Sequence, residues 1–149
     1  MSAQPAAHVP SSSPAEPIVL VRRDGGVATV TLNRPRQYNA ISMEMLDALH
    51  AAFDAIATDR EVRVVVLAGA GPAFSGGHDL KQMMANRTED FIGGLFARCS
   101  EVMLAMQRMP QPVIARVHGT ATAAGCQVVA ACDMAVATED SRFATSGIN

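Results

Sequence analysis

The chain has 149 residues, 49% of them hydrophobic and 17% charged, with a formal net charge of −2. That is apolar material for one globular domain and crowded for two. A pI near 6.0, one Tyr and no Trp supply neither the basic footprint nor the stacking platform of a nucleic-acid binder, which argues against DNA and RNA as partners.

No apolar run approaches the roughly 18 to 20 residues that span a bilayer. Even the stretch from Ala121 to Ala137 is broken by Gly125, Gln127 and Asp133, so we expect a soluble protein with no membrane partner. Residues 1–17 are rich in Ser, Pro and Ala and lack the patterns of signal and transit peptides. They read as a flexible tail ahead of a domain over residues 18–149. Cys99, Cys126 and Cys132 cannot all pair and show no Cys/His clustering, so we expect reduced, mostly buried thiols, no metal site and a cytoplasmic protein.

Ile18 to Arg22 and Val27 to Leu32 are β-rich runs joined by Asp24-Gly25-Gly26, the chemistry of a hairpin turn. After Asn33-Arg34-Pro35, Ser42 is placed to cap a helix in which Met45, Leu46, Leu49, Phe53 and Ile56 recur at helical spacing. Val62 to Leu67 is an almost continuous apolar run closed by Ala68-Gly69-Ala70-Gly71-Pro72, as in a buried strand. A second long helix is predicted from about Thr88 to Arg108, with Gly93-Gly94 a point where it can kink and Pro110 its stop. Val113 to Val117 reads as a parallel-type strand. His118-Gly119-Thr120 then turns into a small-residue helix starting near Ala123, and Met134 to Ala137 gives a further strand. This alternation predicts an α/β fold.

Two glycine-rich turns stand out, Phe74-Ser75-Gly76-Gly77-His78-Asp79-Leu80-Lys81 and Gly119-Thr120-Ala121-Thr122-Ala123-Ala124-Gly125-Cys126. Each follows a buried strand and opens a helix. Small residues there let a ligand approach the backbone, and the unpaired N–H groups of a first helical turn point at it. Two such groups converging on one carbonyl oxygen make an oxyanion hole. Either turn taken singly also reads as an ordinary tight entry to a helix.

Across nearly all of Ile18 to Asn149 the sequence resembles the enoyl-CoA hydratase/isomerase (crotonase) family. The resemblance is carried by Thr31-Leu32-Asn33-Arg34-Pro35, Asn39-Ala40-Ile41-Ser42, VVVLAGAG from Val64 to Gly71, and Ala73-Phe74-Ser75-Gly76-Gly77-His78-Asp79-Leu80. It continues through Pro112-Val113-Ile114-Ala115, Gly125-Cys126, and Ala131-Cys132-Asp133-Met134-Ala135-Val136-Ala137. It implies a crotonase-like ββα spiral that binds an acyl-CoA thioester between the backbone N–H groups of His78 and Ala124, with chemistry through an enolate. It also implies a CoA cleft lined by the segments holding Arg36, Tyr38 and Ala40 and Gly77, Asp79 and Lys81. In that cleft Arg36 and Lys81 would pair with CoA phosphates, although solvated surface charge is the plainer reading of both. Coenzyme A is then part of the substrate, no separate cofactor is expected, and the full-length family protein is a homo-oligomer, a trimer or hexamer.

The departures from the family pattern concern the general acid and base. Hydratases of the family carry two glutamates where this chain has Gln127 and Gly147. An amide can orient water but cannot exchange a proton at neutral pH, and glycine has no side chain. An acyl-CoA decarboxylase of the same family, or a non-catalytic acyl-CoA-binding module, therefore stands beside a hydratase-like lyase. The imidazole of His78 is a candidate acid or base, Cys126 reads as packing and Asp133 as structural. The chain stops at Gly147-Ile148-Asn149, inside a strand-to-loop motif of the family, so we read residues 18–149 as a core truncated before the C-terminal helical part.

Overall fold

Gly25, at φ +55°, turns the chain back on itself, and β1 (Val19–Asp24) pairs antiparallel with β2 (Val27–Leu32), Asp24 opposite Val27. The computed structural model describes residues 16–145. Of the expected tail, residues 1–15 lie outside it, as does Gly147. Pro17 is already tied down, because its carbonyl accepts a hydrogen bond from Asn33 Nδ2 at 2.8 Å.

Ser42 caps α1 (Met43–Ala57) by accepting from the Met45 N–H at 3.3 Å. The five apolar residues that predicted this helix are its buried ones. At about 1.5–3 kcal/mol for each fully buried side chain, that stripe outweighs the roughly 1 kcal/mol of the cap. The third strand, β3, runs Val64–Gly69, two residues later than the apolar run suggested. Val62 and Arg63 are drawn into the turn after α1, where their N–H groups donate to the Asp59 and Gly26 carbonyls at 3.3 and 2.8 Å. A short helix, α2 (Leu80–Ala85), and the long α3 (Glu89–Arg108), capped by Thr88, follow. α3 runs unbroken through Gly93-Gly94. Those glycines lie on its exposed face, where nothing pulls the backbone off axis, so the kink that the pair permits is not taken.

β4 (Val113–Val117), β5 (Thr120–Thr122), α4 (Ala124–Ala131), β6 (Met134–Ala137) and β7 (Arg142–Ala144) complete the described chain. The main sheet has the order β1-β2-β3-β4-β6, parallel from β2 onward, and β5 pairs parallel with β7 in a separate two-stranded sheet. Asp133 sets the β4–β6 junction: its Oδ2 accepts from the Val113 N–H at 2.7 Å while its own N–H donates to the Val113 carbonyl at 2.9 Å. Strand β5 corrects the expectation of a plain turn into the helix. Three residues are too few for an alternation to show in a sequence, but Ala121 is fully buried and bridges to Ser75.

Ala28, Val30, Leu32, Val65, Leu67, Val113, Ala115 and Val117 bury one face of the sheet. The opposite face, with Leu20, Arg22, Val27, Thr29, Thr31 and Arg116, lines a shallow concavity of about 470 Å³. Among the described residues no helix is long and apolar enough to cross a membrane. The three cysteines are free, and burial pushes the Cys132 thiol up to about 12 with the Asp133 carboxylate adding to it.

One side chain ties the loops after β2 and β3 together. Asn39, fully buried and in the left-handed region at φ +52°, donates from Nδ2 to the carbonyls of Ala70 and Ala73, both at 2.8 Å, and of Phe74 at 3.1 Å. Its Oδ1 accepts from the Arg34 N–H at 2.9 Å. Asn tolerates the left-handed backbone better than other side-chain-bearing residues, and here its two amide hydrogens are shared among three carbonyls, those of Ala73 and Phe74 in buried contacts. Asn39→Ala strands them at about 1–3 kcal/mol for each group left unpaired. We expect a loss of about 3 kcal/mol or more in urea unfolding, and a change under 1 kcal/mol would contradict this role.

Candidate active site

The two glycine-rich turns leave the C-terminal ends of neighbouring parallel strands, β3 and β4, which already brings them to one edge of the sheet. They are then locked together at backbone level. The Ser75 N–H donates to the Thr120 carbonyl at 3.1 Å and the Thr122 N–H to the Ser75 carbonyl at 3.0 Å. Gly77, at φ +90°, lies so close to the second turn that a Cβ there would stand 2.9 Å from the Thr122 carbonyl oxygen and 3.3 Å from the Ala124 nitrogen. Gly125 makes the reciprocal approach, since its Cβ would stand 2.6 Å from the Ser75 carbonyl oxygen. Ser75 Oγ donates to the Asn39 carbonyl at 3.0 Å and accepts from the Gly77 N–H at 3.2 Å, so the hydroxyl shapes the turn from within.

What remains unpaired is informative. Among the described residues neither the His78 nor the Ala124 N–H donates to a protein acceptor. His78 pairs with Ile41 through an isolated parallel bridge in which the Ile41 N–H donates to the Gly77 carbonyl and the Asp79 N–H to the Ile41 carbonyl. That parallel pattern leaves the intervening His78 N–H pointing away from Ile41. Ala123 holds φ +48° and ψ −121°, a conformation that costs about 1–3 kcal/mol in a residue with a side chain. Its N–H donates to the Ala144 carbonyl at 2.8 Å. This unfavourable residue turns the chain sharply from β5 into α4 and leaves Ala124 as the first residue of the helix, its N–H at the positive end of the helix dipole.

The segments expected to line a cleft are zipped together. The Gly76 N–H donates to the Tyr38 carbonyl at 2.8 Å, and Arg34 Nη1 donates to the Ala40 carbonyl and to Asp79 Oδ2, both at 3.0 Å. Arg36, Tyr38 and Lys81 are exposed and Ala40 half-buried beside them. Asp79 is committed elsewhere: its Oδ1 caps α2 by accepting from the Lys81 and Gln82 N–H groups at 3.1 and 3.2 Å, while its Oδ2 takes Arg34. Gln127 is exposed on α4, three residues past the Ala124 donor, and Cys126 is half-buried. The His78 ring turns toward α3 and meets Phe96 edge-on, centroids 5.1 Å apart at 85°. Its Nδ1 is buried with no hydrogen-bond partner. Burial holds the imidazole below its ordinary pKa, the Ile41 carbonyl partly opposing this, so the ring is neutral at pH 7. A separate groove between α1 and α3, about 350 Å³ and lined by His50, Asp54, Glu101 and Arg108 among others, lies by the opposite ends of the strands and takes no part in this arrangement. Among the described residues no cluster of His, Cys, Asp and Glu could hold a metal.

Sequence reasoning did not single out Asn39, Ser75 or Arg34 as builders of the site. The signal available was Asn39 directly after Tyr38 in a short polar loop, where Asn favours turns, and its long-range partners cannot be read from spacing.

The Arg34–Asp79 contact makes stability depend on pH. Burial pushes the Asp79 carboxyl up, but the Gln82 N–H, Arg34 and the Lys81 N–H together hold it below the ordinary carboxylate range. A depressed folded-state pKa contributes stability that is present above the unfolded value of about 3.9 and is lost as pH falls toward the folded one. Asp79→Asn is therefore expected to lower the melting temperature at pH 7 and to narrow its gap to the parent chain between pH 4 and 2. An equal gap at both ends would count against this.

Against protein families, residues 22–149 match Enoyl-CoA hydratase/isomerase. The zebrafish (Danio rerio) enoyl-CoA hydratase domain-containing protein 3, mitochondrial, is 45% identical over 132 residues, which cover 89% of this chain and 46% of that protein. A short-chain-enoyl-CoA hydratase of Clostridium acetobutylicum is 34% identical over 127 residues, 84% of this chain and 48% of that one. Among solved structures, an enoyl-CoA hydratase of Mycobacterium smegmatis superposes with a TM-score of 0.86 at 61% identity, covering 88% of this chain and 51% of its own. Human enoyl-CoA hydratase domain-containing protein 3 gives 0.83 at 40% identity, covering 87% and 51%. The chain spans about half the length of the curated relatives it matches. With its several motifs in the family's order and its described residues on the family's crotonase-like α/β fold, the chain belongs to the enoyl-CoA hydratase/isomerase family.

Proposed function

We propose that this chain binds an acyl-CoA thioester and polarises its carbonyl between the His78 and Ala124 N–H groups, stabilising the enolate that forms when charge moves onto the oxygen. The observation that supports the reading is the close approach to Ala124 of Gly77, the residue before His78, with both the His78 and the Ala124 N–H groups unpaired among the described residues. Fixed donors of this kind act where charge develops and need no reorganisation; losing one typically costs about 2.7–4 kcal/mol of transition-state stabilisation. The exposed Arg36 and Lys81 flank the zipped segments and suit the phosphates of CoA as charge-assisted donors.

Gln127 takes the role of a water orienter. It sits one helical turn from the Ala124 donor, and its amide holds a water by hydrogen bonds without exchanging a proton. Two-glutamate hydration is not available to Gln127, so the chemistry we assign is enolate stabilisation at a thioester, in the manner of a hydratase-like lyase with weakened water activation.

Ala124→Pro tests the donor pair. Proline is well accepted at the first position of a helix, where its missing N–H had no helical partner, and Ala123 lies outside the helical region that a following proline disfavours. We expect free CoA to bind as before by titration calorimetry and crotonyl-CoA to lose at least tenfold in affinity. Equal affinity of parent and variant for crotonyl-CoA would overturn the reading.

A further inference from the structure

We propose that β6 is an association edge, at which two copies of this chain pair β6 with β6, antiparallel about a two-fold axis at Ala135, and join their five-stranded sheets into one.

The main sheet has two edge strands, β1 and β6, and they are built differently. β1 ends in Arg22, Arg23 and Asp24, and charges on an edge strand discourage a second sheet from pairing with it. β6 is Met134-Ala135-Val136-Ala137, without charge or proline, and all four residues are exposed, Met134 by 61% and Val136 by 60%. Among the described residues no strand pairs with it on the side away from β4. Strands of a parallel sheet are ordinarily covered on both faces, so an apolar strand exposed along its whole length is ready to be covered.

The main chain decides what fits there. The Asp133 N–H donates to the Val113 carbonyl, and in a parallel ladder the residues that bond to one neighbouring strand alternate with those that face the other way. Ala135 and Ala137 therefore bond back to β4, and the N–H and C=O groups of Met134 and Val136 point to the open edge. A small apolar ligand would cover the side chains and leave these groups without partners, whereas an extended strand satisfies both.

A second β6 does so symmetrically. With Ala135 on the axis, Met134 meets the partner's Val136 and Val136 meets the partner's Met134, each pair exchanging two main-chain hydrogen bonds. Their side chains, next to Ile114 and Arg116 of β4, form one apolar row across the junction. No like charges meet. Asp133 comes opposite the partner's Ala137 and is already held by the Val113 N–H. Arg116, one strand in, is three strand spacings from its copy, about 14 Å, which exceeds the screening length of about 8–10 Å. Pairing β6 with β1 would instead leave a free edge on each copy and grow without closing.

Sedimentation equilibrium of the chain over a concentration series, with circular dichroism as the check on folding, tests the pairing. The parent is expected to reach twice its 15.6 kDa mass and no more. Val136→Lys sets two like charges diagonally across the axis, and Val136→Pro removes an outward N–H while sparing the bonds to β4, a change that edge strands accept. Each should weaken the dimer at least tenfold, and Leu20→Lys on the other edge strand should leave it unchanged. Ala135→Cys reads the register: opposed Cα atoms in a pair without mutual hydrogen bonds lie about 4.5 Å apart, within disulfide reach. Mild oxidation should give a covalent dimer on a non-reducing gel that the parent, with its own three cysteines, does not give. A parent that keeps the mass of one chain throughout the series, a dimer that neither Val136 variant weakens, growth past two copies, or an Ala135→Cys chain that fails to cross-link overturns the proposal.

Discussion

The arrangement depends on two places where backbone meets backbone with no room for a side chain. Gly77 lies against the carbonyl of Thr122 and the nitrogen of Ala124, and Gly125 lies against Ser75. Each glycine admits the other turn, and the paired hydrogen bonds between Ser75 and the Thr120–Thr122 strand hold them in register. Because the contact is made of main chain, it places main-chain donors with little dependence on flexible side chains. A Cβ at either glycine would push the two turns apart at this contact.

Around that contact the molecule uses buried polar groups as fasteners. Asn39 satisfies carbonyls of the loop after β3, Ser75 reads the carbonyl of Asn39, and Arg34 joins the Ala40 carbonyl to the cap of α2. Each polar atom buried here has a partner, which converts a desolvation cost into a specific geometry. The exception is His78 Nδ1, and it falls at the edge of the site where the ring faces Phe96. Local consistency is relaxed at functional positions more often than elsewhere, and Ala123 with its positive φ is the second such relaxation, one residue before a proposed donor.

Much of the fold was legible because its signals are local. Ser42 as a cap, the apolar spacing from Met45 to Ile56, the Asp24-Gly25-Gly26 turn and the run into β3 each declare an element within a few residues. The short strands β5 and β7 were not legible, since three residues carry no period and their pairing joins residues some twenty positions apart. The site divides in the same way. The two turns could be named from glycine content after a buried strand, and the positions of the donors came from the family resemblance. The commitment of Asp79 to a helix cap and to Arg34 required the fold, because an aspartate after Gly-Gly-His reads equally well as a ligand contact. Gln127 could be recognised as an amide, but only the structure places it exposed on α4, one turn from Ala124.

The central claim is that two backbone N–H groups polarise a thioester carbonyl, and the most direct test is the infrared stretch of that carbonyl. Butyryl-CoA labelled with ¹³C at the thioester carbon, bound to the chain, isolates the band by isotope difference. The account predicts a shift to lower frequency on binding that disappears in Ala124→Pro. A bound ligand whose carbonyl band stays at its aqueous position would contradict it.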